Sequence, residues 1–239
     1  MDTVKFEKGN VLMVAHRGVS GIEPENTCSS FIAAANRSYY AIETDIHRTA
    51  DGNFVVNHDG NLLRIAGEEI SVEESTLEEL QKIVLFYKEG TKSRADLRVP
   101  TLENYINICK KYGKHCLIEL KSMFTDEETQ RYINIIRELD YLSNVTFISF
   151  KYDNLTKIRK ILPDQPIQFI FKEVTDEIFD KVLADGFDVD VKYTSLTKEN
   201  IAAFHAAGIK VNCWTVDGKE DAERLVSWGI DYISSNILE

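Results

Sequence analysis

Short apolar runs alternate along the chain with longer segments in which apolar residues recur at helical spacing. The runs are rich in Val, Ile, Phe and Tyr, the residues that strands favour. Eight of them predict strands, at residues 11–16, 40–46, 115–121, 145–150, 166–171, 188–193, 210–216 and 231–235. Three of the intervening segments end in a glycine, a common helix stop, at Gly186, Gly208 and Gly229. This alternation predicts a parallel (β/α)₈ TIM barrel, an α/β fold.

One region interrupts the alternation. Residues 47–100 lack the helix expected after the second strand and contain a further apolar run, NFVVNHD, then an acidic and a polar stretch. We interpret residues 47–100 as an insertion at the C-terminal mouth of the barrel, where barrel active sites lie. We expect residues 1–239 to form one domain. A doubly wound open sheet is the structural alternative, but no G-x-G-x-x-G follows a strand, so a dinucleotide-binding fold lacks its main signal.

Composition and charge narrow the class of protein. Of 239 residues, 44% are hydrophobic and 28% charged, as in an ordinary globular protein. The formal net charge of −11 would repel a phosphate backbone, so we expect no nucleic-acid partner. No apolar run reaches about 18 residues and the N-terminal MDTVKFEKGN holds no apolar signal core, so we expect a cytoplasmic protein without stable membrane insertion. The four cysteines form no CxxC pair; three of them sit in apolar or semi-apolar surroundings that suit reduced, buried thiols, and their number neither demands nor excludes a disulfide.

Polar side chains stand at the C-terminal ends of three predicted strands. Glu43 and Asp45 are two residues apart, so they point to the same side of the second strand. Glu119 and Lys121 repeat this spacing at the end of the third strand, and the first strand ends in His16. One such group alone is more often a solvated or salt-bridged edge. Three of them at one barrel mouth predict a shared site.

The residue types at these strand ends suit phosphoryl transfer at a metal ion. Three converging carboxylates suit a hard divalent cation with oxygen ligands, which favours Mg²⁺, Ca²⁺ or Mn²⁺ over Zn²⁺. Histidines such as His16 and His58 transfer protons near neutral pH. The cations Arg17 and Lys121 can balance the charge of a phosphate group.

Several motifs resemble those of one known family. They are AHRG followed by PENT, ETDIHRTADGNFVVNHD, LIELK, NCWTV and GIDYISSN, which together extend over residues 14–236. In the order and spacing of these motifs the chain resembles the glycerophosphodiester phosphodiesterase family. The resemblance implies a TIM barrel with an insertion after the second strand and one divalent cation. It also implies hydrolysis of small glycerophosphodiesters to glycerol 3-phosphate and an alcohol.

The resemblance implies roles for eight residues. They comprise three metal ligands, two histidines that act as general acid and base, two cations that hold the phosphate, and one aromatic residue on the glycerol side of the mouth. In that order these are Glu43, Asp45 and Glu119; His16 and His58; Arg17 and Lys121; and Trp214. A purely structural role in the core is the alternative for Trp214.

Other polar residues are expected to support the site or to lie outside it. Glu25 and Asn26 in PENT should brace the first loop, and Asp59 should orient its loop or cap the turn at Gly60. We expect His47 to be peripheral and His115 and His205 to be structural. The final motif, ISSNILE, departs from the family pattern, so its part in substrate binding is open.

Two other functions stay open on the sequence. One is a phospholipase-like or sphingomyelinase-D-like phosphodiesterase acting on lipid headgroups, although the acidic chain shows no basic amphipathic helix. The other is a non-catalytic protein that binds phosphodiesters. The preferred alcohol, the metal, the order in which the histidines act, the nucleophile (water or a glycerol hydroxyl) and the oligomeric state are likewise open.

Overall fold

Eleven strands and nine α-helices make up the regular structure in a computed structural model that describes residues 2–239. The strands are β1 (Leu12–Ala15), β2 (Ala41–Arg48), β3 (Phe54–Val56), β4 (Asn61–Leu62), β5 (Glu68–Ser71), β6 (His115–Leu120), β7 (Val145–Ser149), β8 (Ile167–Phe171), β9 (Asp188–Lys192), β10 (Val211–Trp214) and β11 (Tyr232–Ser235). The helices are α1 (Cys28–Ala35), α2 (Leu63–Ala66), α3 (Leu77–Gln81), α4 (Leu102–Tyr112), α5 (Asp126–Glu138), α6 (Tyr152–Ile161), α7 (Asp176–Asp185), α8 (Lys198–Ala206) and α9 (Lys219–Ser227).

Eight of the strands form a nearly closed parallel barrel, in the order β10-β9-β8-β7-β6-β2-β1-β11. Each neighbouring pair in this order is parallel. Two backbone hydrogen bonds join the remaining edges, β10 and β11. The Asp231 N–H donates to the Val211 carbonyl (3.2 Å) and the Val216 N–H to the Ser234 carbonyl (3.0 Å). The predicted TIM barrel is therefore confirmed, with all eight predicted strands in place.

Threonine side chains fix where six helices begin. Each accepts a hydrogen bond from the backbone N–H of the third helical residue, as a good N-cap does. The six are Thr27, Thr76, Thr101, Thr125, Thr175 and Thr197. By fixing the first residue of each of these helices, the caps also set where the preceding loops end.

Alternation along the strands separates two apolar layers. On β9, Val189 and Val191 point outward into the large core beneath the helices. Inward-facing side chains form a second, smaller cluster inside the barrel, made of Val14, Ala41, Leu117, Ile148 and Ile170. This inner cluster fills the barrel, as in other TIM barrels. Inward-facing residues nearer the C-terminal strand ends therefore meet in one place above it.

The insertion grows out of the second barrel strand. β2 continues to Arg48, and Ile46 to Arg48 pair antiparallel with β3. Pairing with β3 extends the strand to Arg48, just past the approximate start predicted for the insertion. The segment has a small core of its own: Val55, Leu62, Ala66, Val72, Leu80, Leu85, Leu97 and Val99. That residues 1–239 form one domain stays a prediction.

The cysteines and the helices allow two further checks. All four cysteines are free thiols, with Cys109, Cys116 and Cys213 buried and Cys28 partly so, in line with the expected reduced state. In the part of the chain that the structure describes, we find no helix with the length and apolar character needed to cross a membrane.

Gly18 provides a test of the tight packing of the first loop. Its φ is +74°, and a Cβ added there would lie 2.4 Å from Ser30 Oγ and 2.7 Å from the Ser30 backbone. We expect Gly18→Ala to lower the free energy of unfolding by about 2–4 kcal/mol, since both backbone strain and overpacking oppose it. Urea denaturation measures this loss. Gly113→Ala is the matched control, because Gly113 has φ +65° with nothing within 4 Å; equal losses in the two variants would contradict the packing argument.

Candidate active site

Three carboxylates meet at the C-terminal mouth of the barrel, as the sequence predicts. Glu43 and Asp45 project from β2, and Asp45 lies in direct register with Glu119 on β6. One oxygen from each carboxylate lies within 4.8 Å of the others. All three side chains are buried, with exposed fractions of 3%, 0% and 9%. Three buried carboxylates this close together need positive charge nearby to offset the cost of their burial.

Their electrostatics fit a bound cation. Burial and the charge of Asp45 raise the pKa of Glu43 well above its ordinary value and that of Glu119 to about 8. Burial opposes ionisation of Asp45 too, but Lys121 and Arg17 hold the pKa of Asp45 below its ordinary value. Asp45 Oδ1 is buried and accepts no hydrogen bond from any residue that the structure describes. Oxygen donors that are buried, clustered and incompletely paired suit a hard divalent cation.

The first loop wraps around these carboxylates through Arg17. The Arg17 backbone N–H donates to Glu43 Oε2 (2.7 Å). Its guanidinium lies 3.5 Å from Asp45 Oδ2 and 3.0 Å from Glu25 Oε1. Arg17 has φ 55°, so the loop holds this residue in the left-handed region. The backbone and the side chain of Arg17 therefore both contact the carboxylate cluster.

Asn26 ties the PENT motif to the same cluster. Its Nδ2 donates to Asp45 Oδ2 (2.8 Å), and its Oδ1 accepts from the Thr44 hydroxyl (2.9 Å). Its backbone N–H donates to the Arg17 carbonyl (3.0 Å). Asn26 has φ 54°, a conformation that Asn tolerates better than most residues. Asn26 and Glu25 thus brace the first loop, as expected.

The last motif of the chain orients His16. Asn236 Oδ1 lies 2.8 Å from His16 Nδ1, while Asn236 Nδ2 donates to Asp217 Oδ2 (2.6 Å). Because the amide oxygen faces the ring, Nδ1 carries the proton and Nε2 keeps its lone pair. Burial and the nearby charge of Arg17 lower the pKa of His16 to about 4. The role of Asn236 was missed from the sequence, where ISSNILE only looked unusual.

His58 reaches the site from the insertion and is oriented in a similar way. Its Nδ1 lies 2.7 Å from Asp59 Oδ1, and Asp59 Oδ2 accepts from Arg64 Nε (2.7 Å). An ionised Asp59 fixes the proton on Nδ1, so Nε2 again keeps its lone pair. Burial lowers the pKa of His58 despite the opposing charge of Asp45. Asp59 orients the catalytic candidate itself rather than only its loop.

A chain of ion pairs links the insertion to the first loop. Arg64 in α2 binds Glu25 through both terminal nitrogens (2.7 and 2.8 Å), and Glu25 binds Arg17. Since Arg64 also holds Asp59, the orientation of His58 depends on the same chain. Nothing in the local sequence around Arg64 distinguishes it from a surface arginine.

The remaining three histidines form hydrogen bonds outside the carboxylate cluster. His47 is buried, because β2 extends past it, and its Nε2 lies 3.3 Å from the His58 carbonyl oxygen; that it is peripheral to the site stays a prediction. His115 pairs with Thr146 at the far end of the barrel (2.8 Å). His205 pairs with Asp231 on the outside (2.7 Å). The last two are structural, as expected.

A small cavity of about 50 Å³ collects most of the predicted residues. Its lining includes His16, Arg17, Glu43, His58, Glu119 and Trp214. Lys121 lies beside it, with Nζ 3.0 Å from Glu119 Oε1 and 3.6 Å from Asp45 Oδ1. Trp214 lines the cavity and packs edge-on against Phe150 (5.6 Å between ring centroids), and its place on the glycerol side stays a prediction. Asp190 also lines the cavity and was not predicted.

The barrel mouth combines a carboxylate cluster, two oriented histidines and two cations. This combination is typical of a class of phosphodiester hydrolases. The glycerophosphoryl diester phosphodiesterase family matches residues 16–237. The chain is 31% identical over 226 residues to a glycerophosphodiester phosphodiesterase of Caldanaerobacter subterraneus, covering 93% of this chain and 92% of that one. It is 27% identical to a glycerophosphodiester phosphodiesterase of Bacillus subtilis, covering 95% and 83%. The chain therefore belongs to this family, and it is an enzyme that hydrolyses phosphodiesters.

Solved structures agree on the fold. A phosphodiesterase of Oleispira antarctica, in complex with the product sn-glycerol 3-phosphate, matches with a TM-score of 0.86 at 22% identity, over 94% of this chain and 92% of that one. A structure described as a glycerophosphoryl diester phosphodiesterase of Silicibacter pomeroyi matches with a TM-score of 0.86 at 25% identity, over 95% and 90%.

The pKa of Glu119 predicts how the metal-free protein responds to pH. A folded pKa of about 8, above the ordinary 4.5, means that the folded protein holds a proton that the unfolded chain has released. Stability from this group is therefore lost as pH rises towards 8. The lowered pKa of His16 acts in the opposite direction, but only below about its ordinary 6.5. Between pH 6.5 and 8 we expect stability in EDTA to fall, by at most about 1.4 kcal/mol per pH unit from Glu119.

Urea denaturation at several pH values measures this slope. Glu119→Gln carries no titratable group at this position, so its curve should be flatter over the same window. Identical slopes in the wild type and Glu119→Gln would contradict the assignment.

Proposed function

We propose that the enzyme is a metal-dependent glycerophosphodiester phosphodiesterase that releases glycerol 3-phosphate and an alcohol from small water-borne substrates. The observation that carries this proposal is one cavity whose lining joins Glu43 and Glu119 of the carboxylate cluster to Arg17 and both oriented histidines. The family match supports the reaction, and the product held by the Oleispira antarctica relative supports the glycerol phosphate half.

Glu43, Asp45 and Glu119 would hold the divalent cation. Their oxygen donors favour Mg²⁺ or Ca²⁺, with Mn²⁺ as a third candidate. When bound, such an ion neutralises negative charge that develops on phosphoryl oxygens. It would also relieve the repulsion that raises the pKa of Glu43 and Glu119 in the metal-free protein.

Arg17 and Lys121 would bind the phosphate of the substrate. Both cations already touch the carboxylate cluster, which holds their side chains at the cavity. The loop backbone fixes Arg17 through its bond to Glu43. Preorganised positive charge of this kind stabilises a phosphoryl transition state at little reorganisation cost.

His16 and His58 would transfer the protons. Each is held by its Nδ1 and presents a free Nε2. One ring takes a proton from the nucleophile, which is water or the neighbouring glycerol hydroxyl, and the other protonates the leaving alcohol. Because both pKa values are lowered in the ligand-free protein, the acid gains its proton when the negative phosphate enters beside it.

Product release tests the function directly. Glycerol 3-phosphate would be measured after incubation with glycerophosphocholine, glycerophosphoethanolamine and glycerophosphoglycerol, with EDTA and after adding back Mg²⁺, Ca²⁺ or Mn²⁺. We expect release that EDTA abolishes and a divalent cation restores. Absence of release with every metal, together with headgroup release from sphingomyelin or lysophospholipid vesicles, would replace this function by a lipid-headgroup phosphodiesterase.

Histidine variants test the proton-transfer roles. We expect His16→Ala and His58→Ala each to lower kcat/KM by about two to four orders of magnitude, the usual scale of general acid–base catalysis. His205→Ala is the control, since His205 lies outside the barrel and pairs only with Asp231. Near wild-type turnover in both site variants would rule out the assignment.

A further inference from the structure

Two buried polar groups in the active-site cavity lack hydrogen-bond partners among residues 2–239. Asp190 on β9 is 3% exposed, and its Oδ1 accepts no hydrogen bond. The indole Nε1 of Trp214 on β10 is also buried and donates to nothing. Both residues line the cavity that holds His16, Glu43 and Glu119. Unpaired polar groups are rare inside proteins, so a pair of them in a binding cavity points to a ligand.

The barrel places Asp190 far from the carboxylate cluster along the sheet. From β2 to β9 there are four steps through β6, β7 and β8, and four steps through β1, β11 and β10. Asp190 therefore projects from the strand opposite the one that carries Glu43 and Asp45. It does not belong to the group of carboxylates close enough to share a metal ion.

The surroundings of Asp190 are apolar on one side. Asp190 lies in register with Ile170 on β8, and Ile148 and Phe150 line the same cavity. Burial and the charge of Glu119 raise the pKa of Asp190 well above its ordinary value. A carboxyl group accepts a hydrogen bond from a hydroxyl in either protonation state. An anion such as phosphate would instead meet the cations on the opposite side of the cavity.

We infer that Asp190 binds the glycerol hydroxyl that lies farthest from the phosphate, together with the N–H of Trp214, which the family resemblance already implies on the glycerol side. The inference rests on the proposed function and names what its site recognises. A hydroxyl both donates and accepts, so it can pair the Asp190 carboxyl group and the Trp214 N–H. A quaternary ammonium group offers neither a donor for Asp190 nor an acceptor for Trp214.

Binding of two phosphates that differ by one hydroxyl tests the subsite. Calorimetry on the full chain loaded with Mg²⁺ or Ca²⁺ would compare sn-glycerol 3-phosphate with 2-hydroxypropyl phosphate, which lacks the terminal hydroxyl. We expect the wild type to bind the glycerol compound about 10- to 100-fold more tightly, because the other leaves buried groups unpaired. Asp190→Leu should bind the two equally. Trp214→Phe, which keeps the ring but loses the N–H, should reduce the preference severalfold.

Two further variants separate recognition from folding. Asp190→Asn keeps a donor and an acceptor in nearly the same volume, so it should retain most of the preference. Asp188→Asn is the matched control: Asp188 lies on the same face of β9 but at the opposite end of the barrel, near Tyr40 and Lys210. Ligand-free Asp190→Leu should unfold at a urea concentration at least as high as the wild type, because no hydrogen bond is lost. A structural role for Asp190 predicts lower stability in Asp190→Leu instead.

The outcomes distinguish this subsite from the proposed function. A hydroxyl preference that disappears in Asp190→Leu supports the subsite even when no phosphodiester is hydrolysed, and in that case only the proposed function fails. Hydrolysis with the same preference in the wild type and Asp190→Leu overturns the subsite alone. Failure of the metal-loaded wild type to bind sn-glycerol 3-phosphate, or binding of choline phosphate that requires Asp190, also overturns it.

Discussion

The repulsion among three buried carboxylates is the constraint around which the mouth of this barrel is built. Strand register brings Asp45 beside Glu119, and alternation puts Glu43 on the same face, so the backbone leaves these charges no way to separate. The first loop supplies hydrogen-bond donors to these carboxylates: the Arg17 backbone N–H donates to Glu43, and the Asn26 side-chain amide donates to Asp45. Both residues adopt left-handed backbone conformations to do so. The loop is thus shaped by the charge it must offset.

Charged side chains also connect the insertion to the first loop of the barrel. His58 needs an oriented ring, which Asp59 supplies; Asp59 in turn is held by Arg64, and Arg64 by Glu25 of the first loop. Pairing of β3 with the end of β2 brings this chain of contacts over the mouth. An ion-pair network of this kind spans two segments that are distant in sequence, so its value lies in positioning His58 more than in stability.

Local pattern was enough to predict the barrel and the carboxylate cluster, because strand composition, helix caps and period-two alternation are all short-range properties. Contacts over long sequence distances were not predictable. Asn236 orients His16 across 220 residues, and Arg64 meets Glu25 across 39. The burial of His47 was not predictable for a related reason: where β2 ends depends on its partner β3, which the sequence of β2 does not contain. The local sequence around such residues does not indicate their role, because their contacts form only when the chain folds.

Asp190 shows the same limit, and under the proposed subsite it would explain how the cavity matches a glycerol phosphate. In the run DVDVKY, alternation fixes which residues share a face but not whether that face points into a barrel or into solvent. Closure of the barrel points this face inward. The cavity then has a charged half and a mainly apolar half. The ends of β1, β2 and β6 contribute charged groups, whereas β7, β8 and β10 contribute Ile148, Ile170 and Trp214. A ligand with one charged end and one uncharged hydroxylated end fits both halves, and a glycerol phosphate is such a molecule; a phosphate alone would leave the second half unpaired.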